Sequence, residues 1–328
     1  MEDSGFESNL NQYDVIALNM QEFLSRTHTV KAMLERLSRL VVRDLMHTYP
    51  DVDYFEPEDL IQSMQDVYED TGHPFVMIID EWDCVLREYK QDQEAQKYYL
   101  DFLRDLLKDK GNIHLVYMTG ILPIKKYGTH IALNMFDEFS MIHAGPLSSF
   151  FGFTEEEVNG LCRKYEMNFE EERSWYEGYR LKGTGSIYNP RSVVSSIQFR
   201  EYADYWNQTE TYEALKVYIE MNFEGLRDDI LMMSGEYVDV NVGSFTNDMS
   251  TFSTKHDVLT LLIHLGYLGY DSDNGQAFIP NHEIMDEYVN VVQTSEWGEV
   301  SKALEMSKKT LHAIWGQKET IKDKRTFL

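Results

Sequence analysis

The stretch Phe75-Val76-Met77-Ile78-Ile79-Asp80-Glu81 decides the fold of this chain, because five apolar residues are followed at once by two acids. A continuous apolar run is typical of a parallel strand that is buried on both faces of its sheet. Ligands of open α/β sheets bind beyond the carboxyl ends of such strands. The sequence therefore predicts that Asp80 and Glu81 lie at a ligand-binding edge.

Strand-like and helix-like patterns alternate around this stretch in the first 150 residues. Further strands are predicted at residues 13–19 and 113–118, with a weaker one at 139–142. The segments between the first three have the apolar spacing of helices. Strands that alternate with helices of this length imply βαβ crossovers and a parallel sheet. The predicted fold class is α/β.

A mainly helical segment is predicted for residues 151–250. Thr154 and Glu157 have the spacing of a capping box, and Asn189 followed by Pro190 is a second helix start. The pattern also remains helical from residue 212 to residue 233.

A third module is predicted for residues 251–315. A helix, a hairpin around an Asn-Gly turn at 274–275 and a helix at 285–292 follow one another, which indicates a winged-helix-like module. Acids surround the hairpin, so a packing or regulatory role is favoured over DNA binding. Residues 316–328 form a charged tail that we expect to be frayed.

Composition narrows the classes of partner. The formal charge is -26, from 56 acidic residues against 30 Lys+Arg, and this balance argues against binding to the phosphate backbone of nucleic acids. The two cysteines are too few for a disulfide framework and suggest buried thiols in a reducing compartment. The sequence shows neither a signal peptide nor an apolar run long enough to span a membrane. We therefore expect a cytoplasmic protein that binds no membrane.

The acids at the end of the 75–80 strand suit phosphoryl-transfer chemistry. Asp80 can hold a magnesium shell, while Glu81 can orient or deprotonate a water, as in a Walker B element. Thr119 follows the next strand, where its hydroxyl can sense a phosphate or the attacking water. An Asp-Glu pair after a strand is also a common polar start of a loop. Arg191 can reach a phosphate or simply pair with neighbouring carboxylates, and its position leaves both uses open.

Five motifs, in order, resemble the bacterial AAA-ATPase-like family. They lie at residues 75–83, 118–121, 152–158, 175–179 and 188–193, and the resemblance extends from Tyr13 to about Trp315. It implies a core related to P-loop NTPases, joined to helical and winged-helix-like segments, that binds and hydrolyses Mg-ATP. By this resemblance Asp80 is the magnesium-shell acid, Glu81 the catalytic acid and Thr119 a sensor-like position.

The chain departs from the family at the phosphate-binding loop. No GxxxxGK[ST] sequence occurs in its 328 residues, and the Gly183-Thr184-Gly185 run lacks the lysine. The strand, loop and helix of that unit occupy roughly 30 residues, so we expect a core that lacks its first strand and P-loop. The missing strand would lie between those at 113–118 and 139–142. We expect an amino-terminally shortened protein, also lacking a carboxyl-terminal domain, that binds ATP poorly.

Two other functions remain open from the sequence. One is a non-catalytic interaction or regulatory module, with an unidentified protein partner, on the same scaffold. The weaker alternative is a metal-dependent nuclease that uses Asp80, Glu81 and Asp83. It lacks a following Glu-x-Lys strand, and the acidic chain would repel DNA.

Overall fold

A computed structural model of the chain describes residues 5–121, 133, 135–206, 226–233, 236–245, 252 and 254–294. The chain divides into two compact units, residues 1–137 and 138–328. None of the helices within these described ranges has the length and apolarity that crossing a membrane requires.

The first unit contains a parallel sheet, as the sequence predicted. Its described strands are β1 (Asp14–Asn19), β2 (Phe75–Asp80) and β3 (Ile113–Met118), in the order β1-β2-β3. The helices of this unit are α1 (Phe6–Asn9), α2 (Met20–Ser25), α3 (Val30–Thr48), α4 (Leu60–Thr71), α5 (Cys84–Glu88) and α6 (Gln93–Leu107). Strand, helix and strand alternate along the chain, which is the βαβ arrangement expected of a parallel sheet.

The core of the first unit lies on one face of this sheet. Phe75, Met77 and Ile79 of β2 are buried there in one cluster with residues of α3, α4 and α6. On the opposite face Ile78 is 39% exposed, and β1 and β3 expose Val15, Leu115 and Tyr117 by 45–60%. The expectation that β2 is buried on both faces is therefore wrong, because the helices that supply the core cluster pack on the Met77 side.

The weaker strand predicted at 139–142 is also wrong. The backbones of Ser140 and His143 exchange two hydrogen bonds, with N–O distances of 3.0 and 3.1 Å. These bonds close a tight turn, so the segment does not extend alongside another strand. A short apolar run does not by itself distinguish a strand from a packed loop, because side-chain burial looks the same in both.

The second unit combines helices with two small antiparallel sheets in its described residues. The sheets have the orders β4-β6-β5 and β7-β9-β8. The strands are β4 (Phe153–Thr154), β5 (Tyr179–Leu181), β6 (Gly185–Tyr188), β7 (Val238–Asp239), β8 (Gly269–Asp271) and β9 (Gln276–Phe278). The helices are α7 (Glu155–Tyr165), α8 (Phe169–Tyr176), α9 (Pro190–Phe199), α10 (Leu226–Met233), α11 (Lys255–His264) and α12 (His282–Thr294), with short 3-10 helices at Gly145–Phe150 and Val242–Ser244.

Both helix starts read from the sequence of this unit are confirmed. The Thr154 backbone donates to Glu157 Oε2 at 2.8 Å, and the Glu157 backbone donates to Thr154 Oγ1 at 3.4 Å, which completes the capping box of α7. Asn189 Oδ1 accepts from the Arg191 backbone at 2.9 Å, with Pro190 at the first position of α9. These local hydrogen bonds satisfy backbone donors that the helix itself leaves free.

The predicted hairpin is present as β8 and β9. Its loop spans residues 272–275, and Gly275 takes the left-handed conformation with φ 70°. Strand β7 pairs with β9 and adds a third strand to the hairpin. The winged-helix-like assignment stays a prediction, as does the division at residues 150 and 250. Residues 212–225 and 295–328, which include part of the predicted helix and the charged tail, lie outside the described residues.

Candidate functional site

The carboxyl ends of the three parallel strands bring three polar side chains together. Asn19 at the end of β1 pairs in register with Asp80 at the end of β2, and Thr119 directly follows β3. Asp80 Oδ1 accepts a hydrogen bond from Thr119 Oγ1 at 2.5 Å, and Asp80 Oδ2 accepts one from Asn19 Nδ2 at 3.3 Å. The backbone of Glu81 also donates to Asp80 Oδ1, at 3.0 Å. The Asp80 carboxylate is thus held by groups from all three strand ends and remains exposed.

Glu81 has a different partner, Arg87. Its backbone is left-handed, with φ 54°, a conformation that non-glycine residues seldom adopt. Its Oε2 accepts a hydrogen bond from Nη2 of Arg87, on α5. The two neighbouring acids of the sequence therefore have different partners: Asp80 faces the strand ends and Glu81 pairs with a cation.

The loops after β2 and β3 are hydrogen-bonded to each other. The Trp82 backbone donates to the Thr119 carbonyl at 3.1 Å, and the Ile121 backbone donates to Oδ2 of the buried Asp83 at 3.1 Å. Gly120 lies so close to Trp82 that a Cβ added there would be 2.7 Å from the indole ring. A side chain at position 120 would force these loops apart, so a glycine suits this contact and helps to fix the position of Thr119.

Tyr99, on α6, binds the loop that follows β2. Its buried hydroxyl donates to the Trp82 carbonyl at 2.6 Å, from the middle of α6. Replacing Tyr99 with phenylalanine is expected to lower the free energy of unfolding by about 1–3 kcal/mol, because the buried carbonyl would lose its donor. Urea unfolding of both proteins measures this difference, with exposed Tyr98→Phe on the same helix as the control. An equal effect of the two substitutions would contradict a role for the Tyr99 hydrogen bond.

Cys84 lies beside this loop but is not suited to act as a nucleophile. It is completely buried, and burial raises its thiol pKa to about 12. Burial likewise raises the pKa of Cys162, in the second unit, to about 11. Because thiolates rather than thiols react, both cysteines are packing residues. The prediction of buried thiols is confirmed.

Arg191 lies in the second unit, on the first turn of α9, and its side chain is exposed. Its contact with a phosphate stays a prediction. The aromatic run that begins at Trp175 belongs to the cores of this unit, since Tyr176 and Tyr179 are buried in two separate clusters. This run is used for packing.

Sequence reasoning missed Asn19 and Arg87. Asn19 follows the same rule that identified Asp80 and Thr119, because it too ends a strand of the sheet. Its Oδ1 also accepts from the Glu22 backbone and caps α2, which orients the amide toward Asp80. Arg87 gave no comparable signal, because a cation in a short helix has many possible partners.

The donor atoms at the strand ends suit a hard divalent cation. The Asp80 carboxylate and the Thr119 hydroxyl are oxygen donors, which Mg²⁺ prefers, while Asn19 presents its amide nitrogen to Asp80 and orients the carboxylate. Within the described residues, no group of three or more His, Cys, Asp or Glu is placed to hold a metal ion. Magnesium is commonly held by one or two carboxylates, with waters and phosphates completing its shell. The residues present fit that kind of site.

A family model matches the part of the chain that contains the three strand ends. Residues 3–130 match the family model described as AAA-ATPase-like, predicted AAA-ATPase. The resemblance read from the motifs is confirmed for this part of the chain. The matched range contains the strand-end group, which consists of Asn19, Asp80 and Thr119, and it also contains Glu81 and Arg87.

A curated relative covers a similar share of the chain. It is described as an uncharacterized protein in the vnfD 5′ region of Azotobacter chroococcum mcd 1, and it is 27% identical over 146 residues. The match covers 43% of this chain and 28% of the relative. The chain thus spans under a third of the length of that protein, whose description names no activity.

Proposed function

We propose that the strand-end group is the magnesium half of an ATP-binding site. The observation that carries this proposal is the Asp80 carboxylate, held by Asn19 and Thr119 at the carboxyl edge of a parallel sheet and still exposed. Ligands of open α/β sheets bind at this edge. The match of residues 3–130 to a predicted ATPase family supports the same chemistry.

The side chains at the strand ends would divide the work of binding magnesium and activating water. Asp80 binds the magnesium shell, while Asn19 and Thr119 keep both carboxylate oxygens oriented toward the open edge. Bound magnesium neutralises charge that develops on the phosphates. Glu81 accepts a proton from water when it is released from Arg87, and Thr119 contacts the phosphate or that water.

The 328-residue chain is proposed to bind the nucleotide weakly. It contains no GxxxxGK[ST] sequence, whose backbone amides and lysine supply most of the phosphate contacts in P-loop proteins. We therefore expect millimolar rather than micromolar affinity for Mg-ATP, and turnover that is slow or absent.

Replacing Asp80 with asparagine is expected to weaken the binding of Mg-ATP. The substitution removes the negative charge while keeping the size of the side chain, so we expect Mg-ATP affinity to fall by at least about tenfold. Isothermal titration measures this affinity, with exposed Asp70→Asn on α4 as the matched control. Micromolar binding by the unaltered chain, or equal affinities of the two variants, would contradict the proposal.

A non-catalytic interaction module is the second candidate. The pairing of Glu81 with Arg87 favours it, because that carboxylate is not free to act as a base. Steady-state phosphate release separates the two functions: an ATPase loses its rate in Glu81→Gln, whereas a non-catalytic module shows the same background in both proteins. The nuclease alternative has little support, because Asp83 is buried and turned toward Ile121 rather than grouped with Asp80.

A further inference from the structure

A groove on the first unit lies where the loop before α4 meets α3 and α6. Its volume is about 710 Å³, and it is lined by loop residues 55–59, the start of α4, Ser38 on α3 and Phe102 on α6. It shares no lining residue with the strand-end group. The groove is therefore a second surface of the same unit.

Phe55 points into solvent from a loop that is fixed to α4. The Phe55 backbone donates to Asp66 Oδ2 at 2.9 Å, and Asp66 Oδ1 accepts from Gln62 Nε2 at 2.7 Å. The Asp59 backbone donates to the Glu56 carbonyl at 2.9 Å and closes a turn in the loop. The Phe55 side chain is nevertheless 77% exposed. These hydrogen bonds hold the loop in place, so its phenylalanine stays at the surface.

Apolar side chains extend this surface across the groove. Ile61 lines it from α4 and Phe102 from α6. Tyr98 lies one turn before Phe102 on the same face of α6 and is 48% exposed. Grouped exposed apolar side chains with a polar rim mark interaction sites, whereas single ones need no explanation. The floor of the groove suits an apolar side chain of a partner.

Carboxylates form the rim of this floor. The charged residues that line the groove are Glu56, Glu58 and Asp59, and all three are exposed acids. Asp59 is already used, because its Oδ1 accepts from the backbones of Ile61 and Gln62 and caps α4. Glu56 and Glu58 form no ion pair within the described part of the chain. Complementary charge therefore favours a partner that carries lysine or arginine.

We propose that this groove docks a segment of another protein in which an apolar side chain is flanked by lysine or arginine. The apolar side chain packs against Phe55 and Phe102, while the basic residues face Glu56 and Glu58. A second copy of this chain is a poorer occupant, because two molecules of net charge -26 repel each other. The proposal stands independently of nucleotide binding at Asp80.

Fluorescence anisotropy of a dye-labelled peptide tests the proposal with the full chain and without nucleotide. The probe is a Lys-Phe-Lys sequence flanked by glycine and serine, and its counterparts contain Glu-Phe-Glu or Lys-Ala-Lys. We expect the probe to bind about tenfold more tightly than either counterpart, since each lacks one half of the recognition. Equal binding of the three peptides would overturn the proposal.

Replacing Phe55 with alanine removes the apolar half of the groove. We expect it to weaken binding of the probe by about tenfold, because a central aromatic side chain contributes most to such an interface. Phe150→Ala is the matched control, since Phe150 is 79% exposed and lies in the second unit. Equal affinities of the two variants would mean that the peptide binds elsewhere on the acidic surface.

Replacing Glu56 and Glu58 together with glutamine removes the charged half and leaves the Asp59 cap intact. We expect the double variant to bind the probe about tenfold less tightly at low salt, with a smaller difference as salt screens the charges. Glu170→Gln with Glu171→Gln, an exposed pair on α8, controls for net charge. Equal losses in the two double variants would overturn the assignment of the rim.

Sedimentation of the chain alone distinguishes the other occupant. We expect its mass in solution to be the same with and without Phe55→Ala. Dimers that form in the unaltered protein and are lost in Phe55→Ala would show that a second copy fills the groove, and the proposed partner would be wrong.

Discussion

Replacing Glu287 with glutamine is expected to stabilise the second unit at neutral and alkaline pH. Glu287 lies on α12 and is 1% exposed, one turn after the buried Glu283. Burial raises its pKa well above the ordinary range, and the carboxyl of Asp204 raises it further, with smaller effects from Glu283 and Asp286. The folded unit therefore holds a proton on this carboxyl when the unfolded chain has already lost it.

The direction of the pH effect follows from this difference. Between the ordinary pKa of a glutamate and the raised folded value, the folded state binds more protons, so stability falls as pH rises. A single such group accounts for about 1.4 kcal/mol per pH unit. Glutamine carries no titratable proton and keeps a similar shape, so the Glu287→Gln protein should lack this part of the loss.

Urea unfolding across pH 5 to 9 measures the effect. Glu172 and Glu283 are also buried, and burial raises the pKa of each to about 7, so both proteins should lose stability up to that pH. The two curves should separate from about pH 5 upward, and the gap should grow with each pH unit, including above pH 7, where it should exceed about 1 kcal/mol. Exposed Glu201→Gln serves as the matched control. Parallel curves for Glu287→Gln and the unaltered protein would show that Glu287 is ionised in the folded unit.

Among the described glycines of the second unit, Gly178 is expected to tolerate replacement by alanine least. Gly178 precedes β5 with φ 134°, and a Cβ there would lie 2.2 Å from the carbonyl oxygen of Pro280. This contact is with backbone, which cannot rotate aside as a flexible side chain would. Strain and overlap together should cost about 3 kcal/mol or more.

Gly183→Ala provides the matched comparison. Gly183 also has a positive φ, of 91°, but no atom lies within 4 Å of its added Cβ. It should therefore show the backbone cost alone, about 1 kcal/mol. Urea unfolding of both variants separates the two contributions. Equal losses at positions 178 and 183 would mean that the close approach of Pro280 is not maintained in solution.

Local sequence patterns determined much of the fold. The apolar runs ending at Asn19, Asp80 and Met118 form the three parallel strands, and the caps at Thr154 and Asn189 begin helices where predicted. Strands and helix caps of this kind depend on residues close together in the sequence, so they can be predicted without knowledge of the tertiary contacts. The rule that parallel strands end at one edge also predicts that Asp80 and Thr119 lie together.

Tertiary packing decided what these side chains contact. The run at 139–142 resembles a strand but forms a turn, and the face of β2 that carries Ile78 remains partly exposed. The two adjacent acids have different partners, because Glu81 accepts a hydrogen bond from Arg87 whereas Asp80 accepts one from Thr119. The sequence by itself determined that acids stand at a strand end. Only the folded chain decided that Glu81 pairs with a cation while Asp80 is held at the strand ends, since that depends on the helix and loops packed against them.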